Sequence, residues 1–154
     1  MSMDWTYFLP CLWGFVASAG FCVFLNMRTL SGMLICCTGG ALGWLTYLLA
    51  GLAGANDLLG YFLAALVISA YAEIMARVRK CPVTGYLLIS FFPLVPGAGI
   101  YYTMEHALKG DTQMFLVQGM KTLGLAGSLA VGVLVMSSLV RVIMIFRKGG
   151  VKKP

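Results

Sequence analysis

The stretch Phe91 to Tyr102, FFPLVPGAGIYY, sets Pro93, Pro96, Gly97 and Gly99 inside an otherwise apolar run. Proline has no N–H, so the carbonyls of Ile89 and Phe92 lose the donors that a continuous helix would give them. Glycine relaxes the backbone further and admits close approach by a helix or a solute. Such an unwound segment is tolerated at membrane depth only inside protein or beside water. There, backbone carbonyls and half-helix ends offer polar groups to a small solute without burying a charge. Tyr101 and Tyr102 follow, with hydroxyls that bond a solute or anchor at the membrane surface. The chemistry of this stretch is binding and passage of a polar solute; its structural alternative is a kink with an aromatic belt.

Two further positions carry chemistry. Glu73 lies four residues before Arg77, the favourable order for an ion pair on one helix face. A carboxylate about one turn inside a membrane boundary is also a candidate for proton coupling, so Glu73 and Arg77 are either a local salt bridge or a coupling site. Asn26, at the end of the first apolar run, either caps the turn or reaches the pathway. The remaining candidates are weak. His106 stands beside Glu105, but no His/Glu metal spacing, nucleophile motif or phosphate loop accompanies it. Cys11, Cys22, Cys36, Cys37 and Cys81 match no zinc or redox spacing and are read as small buried packing residues. No catalytic residue, metal or cofactor is therefore expected, and the chain is not read as an enzyme.

The elements that must position these residues follow from composition. Sixty per cent of the residues are hydrophobic and 10% are charged, with a mean hydropathy of +0.92, whereas soluble domains carry roughly 25% charge. Uncharged runs exceed the roughly 20 residues needed to cross a hydrocarbon core of about 30 Å. The class is an all-α integral membrane protein of one domain, residues 1–154. It has about five transmembrane helices, near 5–26, 29–53, 58–77, 82–104 and 114–146, the fourth broken at the Pro/Gly-rich segment, and a basic tail, 147–154. The net charge of +6 is dispersed between spans or gathered at their ends. It sets topology in the lipid bilayer and is not a nucleic-acid surface. Basic residues occupy every second loop: Arg28, then Arg77, Arg79 and Lys80, then Arg147, Lys148, Lys152 and Lys153. The positive-inside rule then puts the N-terminus outside and the C-terminus in the cytoplasm. Ala17-Ser18-Ala19 fits a signal cleavage site, but no basic residue precedes Arg28 and Asp4 stands where a signal would be basic, so residues 1–25 are read as a permanent helix.

An odd span count excludes two equal inverted halves within one chain, so a symmetric machine requires a second copy or another polypeptide. Small residues at four-residue spacing, Gly14 and Ser18, Gly39 and Gly43, and Gly124, Ser128 and Gly132, form faces for close helix packing. These faces serve either this chain or a partner. The last span is longer than the bilayer requires, and Lys121 and Arg141, which bracket its uncharged middle, are expected to snorkel.

The segment YAEIMARVRKCPVTGYLLISFFPLVPGAGIYYTM, Tyr71 to Met104, with Gly20-Phe21, Asn26 and the glycine-rich second span, resembles the smaller, C-terminal module of the threonine/serine exporter family. PLVPGAGIYYTM is the specific part of that resemblance. It implies a bacterial inner-membrane exporter of small polar metabolites, most simply threonine or serine, in a separate-subunit form. The larger module would be a second chain, with a homo-oligomer as the other assembly. A similar two-chain arrangement is associated with dicarboxylates such as succinate, which makes a dicarboxylate exporter subunit the alternative substrate reading. An assembly subunit without solute contact is the remaining one.

Overall fold

In the computed structural model, which describes residues 9–27 and 29–149, the chain folds into helices alone among the described residues. They are α1 (Leu9–Phe24), α2 (Leu30–Leu52), α3 (Asp57–Arg79), α4 (Val83–Phe91), α5 (Gly97–Leu108) and α6 (Thr112–Gly149), with a 3₁₀ turn, Phe92–Leu94, between α4 and α5. Residues 5–8 of the expected first span, Arg28, Asp4 and residues 150–154 of the tail lie outside the described residues. α2, α3 and α6 are each long and apolar enough to cross a membrane, and α4 with α5 forms a fourth candidate bent by 53°. α1, at 16 residues, is shorter than such a helix, although it packs along α2 like the others.

The connections share one device. Asn26, Gly54, Lys80 and Gly110 all take positive φ, at 56°, 83°, 54° and 73°. In each case the following N–H reaches back across the last helical turn: Met27 to the Cys22 carbonyl, Ala55 to Ala50, Cys81 to Ala76 and Asp111 to His106, at 2.9 to 3.1 Å. This is the Schellman closure, which satisfies orphan carbonyls at a helix end and turns the chain sharply. Of the two roles expected for Asn26, the structure supplies the cap.

Small residues fix how the helices meet. Gly39 faces Ser90 of α4, Gly40 faces Ser18 of α1, and Gly43 faces Ile68 of α3. Gly132 of α6 lies against Ala65 and the Phe62 carbonyl of α3, and Gly14 lies against Trp44. The small-residue faces thus pack within this chain. Ser90 also donates a hydrogen bond to the Cys36 carbonyl at 3.2 Å, pinning α4 to α2. Cys22, Cys36 and Cys37 are buried as expected, but Cys81 is exposed. Its place just past the end of α3, where its Sγ lies 3.3 Å from the Arg79 carbonyl, takes it out of the core.

Two buried clusters fill the bundle. Cys22, Cys36, Ala72, Ala76, Tyr86 and Ile89 form one, and Ala64, Ala65, Ile68, Leu94 and Leu129 the other. α5 stands apart from both. It packs chiefly on α6 and has no buried residue, because the bend after Leu94 carries it away from α2 and α3.

Candidate functional site at the helix break

The break is built from three successive departures from the helix. The N–H of Phe92 donates to the Ile89 carbonyl, and the N–H of Val95 donates to the Phe92 carbonyl at 3.2 Å. Both carbonyls that the prolines deprive of their usual donors are therefore re-paired by 3₁₀ geometry. The replacement partners these carbonyls need thus come from the chain itself and not from a solute. Val95 then turns extended (φ −59°, ψ 128°), and Pro96 (φ −75°, ψ 57°) forms an inverse γ-turn in which the Gly97 N–H reaches the Val95 carbonyl at 2.7 Å. The break leaves donors unpaired as well as acceptors. Among the described residues, no backbone acceptor meets the N–H groups of Ala98 and Gly99 in the first turn of α5.

Those residues line a cavity of about 470 Å³, within the usual range for small-molecule sites. Pro93, Pro96, Gly97, Gly99 and Tyr102, all singled out by their sequence, lie on its wall. Trp44 and Tyr47 of α2, Tyr61 of α3, and Gln118, Lys121 and Thr122 of α6 face them. The aromatic rings form a chain of edge-to-face contacts, Trp44 to Tyr47 at 5.7 Å and Tyr47 to Tyr61 at 5.1 Å between centroids. Gly97 has nothing within 4 Å of the place a Cβ would occupy. Gly99 differs. A Cβ there would come within 2.5 Å of Thr122 Oγ1, so this glycine lets α5 cross α6 closely.

One charge pair lines the cavity. Lys121 Nζ lies 3.1 Å from Asp57 Oδ2, and the Tyr47 hydroxyl donates to Asp57 Oδ1 at 3.3 Å. Lys121 therefore has a specific partner across a helix interface. Asp57 occupies the first turn of α3, where the helix dipole favours a negative charge. The side chains are 58% and 51% exposed, and a pair so open to solvent contributes only about 0–1 kcal/mol. Asp57, Lys121 and Leu125 also line a second cavity of about 480 Å³.

Four other predicted positions lie elsewhere. Tyr101 points away from the cavity, 65% exposed, and touches Tyr102 edge to face. Asn26 closes α1 and is not on the cavity wall. Glu73 and Arg77 pair at 2.8 Å near the opposite end of α3 from Asp57, about 24 Å from Asp57 to Glu73 at ~1.5 Å per residue. Sequence reasoning missed Asp57, Lys121, Tyr47, Tyr61, Gln118 and Thr122 as cavity residues. The signal available was the cluster of Asp57 and Tyr61 at one helix start opposite a lysine inside an apolar span.

The family model described as Threonine/Serine exporter, ThrE, matches residues 10–139, a stretch that runs from α1 into α6 and includes the whole cavity wall. No curated protein and no solved structure matches the chain.

Proposed function

The chain belongs to the threonine/serine exporter family, and on that premise we propose that it is a subunit of a secondary transporter in which the cavity at the α4/α5 break carries the solute. The observation that supports this most is the coincidence of the break with the cavity. The family's matched segment covers the Pro93 to Tyr102 stretch, and that stretch opens its unpaired N–H groups and Gly97 into a space of about 470 Å³. The solute is a small polar metabolite of the threonine or serine kind, released outward across a bacterial inner membrane. The N-terminus lies outside and the tail inside, as the basic residues at alternate connections suggest. A larger module on a second chain completes the path.

A structural ion pair is the role proposed for Glu73 and Arg77. Both side chains satisfy one another, and their place far along α3 sets them apart from the cavity. Proton coupling through Glu73 is the competing proposal, and its test is given in the Discussion.

The experiment compares threonine and succinate efflux from cells with and without this chain, and identifies what co-purifies with it. Loss of threonine efflux on deletion, restored by the chain, supports the reading. Loss of succinate efflux alone shifts the substrate to dicarboxylates. Unchanged efflux of both, with loss of a co-purifying membrane protein, leaves an assembly role.

A further inference from the structure

We propose that the Asp57–Lys121 pair is the specificity-determining element of the cavity, an exchangeable ion pair whose two charges are taken over by the opposite charges of a zwitterionic solute and reject a dianion. This rests on the reading that the cavity carries the solute.

Four observations lead there. First, among the described wall residues of the two cavities flanking the pair, Lys121 is the sole cation and Asp57 the sole anion. Second, the pair is half open to solvent on both sides, so its attraction is screened and a solute competes for either partner. Third, Asp57 keeps support when Lys121 is withdrawn, from the Tyr47 hydroxyl and the start of α3, while Lys121 without Asp57 meets only neutral wall residues and is left to an anionic group of a solute. Fourth, the wall carries further groups for either charge. The N-terminal turn of α5 lines the same cavity as Lys121, and a helix start favours negative charge. The rings of Tyr47 and Tyr61, one bonded to Asp57 and the other one turn along α3 from it, offer π faces to a cation.

A solute carboxylate therefore binds Lys121 and its ammonium binds Asp57 and the adjoining rings. A dicarboxylate satisfies Lys121 once, and its second charge then meets Asp57 with no further cation on the wall.

The test reads occupancy by protection of a cysteine. Gly97→Cys is made in a Cys11→Ser, Cys81→Ser background, since those two cysteines are the less buried ones. The full chain, in membrane vesicles with its native neighbours, is labelled with a water-soluble maleimide against rising L-threonine or succinate. Labelling is counted per molecule, so abundance does not enter. Asp57→Asn should weaken threonine protection about tenfold and strengthen protection by succinate. Lys121→Gln should weaken both about tenfold, and Lys121→Arg should restore the original preference. Parallel shifts for the two solutes in Asp57→Asn, or no shift in either variant, overturn the proposal while the cavity reading stands. Absence of protection by either solute before Asp57 or Lys121 is changed overturns the cavity reading and this inference with it.

Discussion

Gly97 and Gly99 are two residues apart on the same turn, and the structure assigns them opposite sensitivities. At Gly97 a side chain enters open space on the cavity wall. Truncating a buried leucine to alanine opens a void of up to about 150 Å³, so Gly97→Leu fills roughly a third of the 470 Å³ cavity. It also replaces glycine in a helix, which favours folding by up to about 1 kcal/mol. At Gly99 the first added carbon already meets Thr122, at 2.5 Å from Oγ1 and 3.0 Å from Cγ2. Thr122 has little room to yield, because it is 7% exposed and its hydroxyl donates to the Gln118 carbonyl at 2.7 Å. Overpacking of this kind costs about 1–3 kcal/mol.

Gly97→Leu should therefore reach normal levels in the membrane and lose most threonine efflux per molecule. Gly99→Leu should lower the melting temperature of the detergent-solubilised protein by several degrees and reduce its amount. Immunoblotting, thermal melting and efflux normalised to protein separate the two outcomes. Normal efflux per molecule in Gly97→Leu refutes the cavity as pathway. An unchanged melting temperature in Gly99→Leu refutes the close crossing of α5 and α6.

Gly39→Leu and Gly43→Leu should each destabilise the chain itself by about 1–3 kcal/mol or more, because a Cβ at these positions meets Ser90 and Ile68 of the same chain; a loss of partner capture with normal melting would contradict this. Glu73→Gln should leave both efflux and its pH dependence unaltered and cost about 0.3–0.5 kcal/mol, as expected for an i,i+4 pair; a flattened pH profile would instead establish a coupling carboxylate. Reporter fusions at the two ends should report opposite sides of the membrane, and matching sides would remove the odd span count.

How much of this was legible beforehand depended on whether the controlling contact was local. The break at Pro93 to Gly99 was readable because proline and glycine act on their own backbone, and the helix it interrupts bends within that segment. The Glu73–Arg77 pair was readable for the same reason, one helical turn joining its members. The re-pairing of the Ile89 and Phe92 carbonyls was not, since counting lost donors does not reveal that a 3₁₀ turn supplies others from the same residues. Asp57 and Lys121 were visible only as a loop charge and an interfacial lysine. Their pairing depends on the register of α6 against α3, which Gly132 sets by lying on Ala65 and Phe62 far from either charge. Tyr47 and Tyr61 sit in apolar runs where an aromatic facing lipid and one facing a cavity look alike.

That register also bears on where the cavity lies across the membrane. Asp57 to Arg77 on α3 and Lys121 to Arg141 on α6 are both 20 residues, about 30 Å at ~1.5 Å per residue, the thickness of a hydrocarbon core. Since α3 and α6 run parallel, with Gly124 on Leu58 and Gly132 on Ala65, and the ion pair joins Asp57 to Lys121, the two intervals lie side by side. The acidic and basic members pair at one boundary, and the two arginines fall near the other. The excess length of α6 is then accounted for, because Thr112 to Met120 rises past the start of α3 alongside α5 instead of tilting within the bilayer. In the orientation proposed above, with the basic residues inside, that boundary is the cytoplasmic one and the cavity beside Asp57 and Lys121 lies toward the outer face. An exporter that discriminates there does so at the point of release, so weakening the ion pair should alter which solutes leave and how fast more than which are admitted from the cytoplasm.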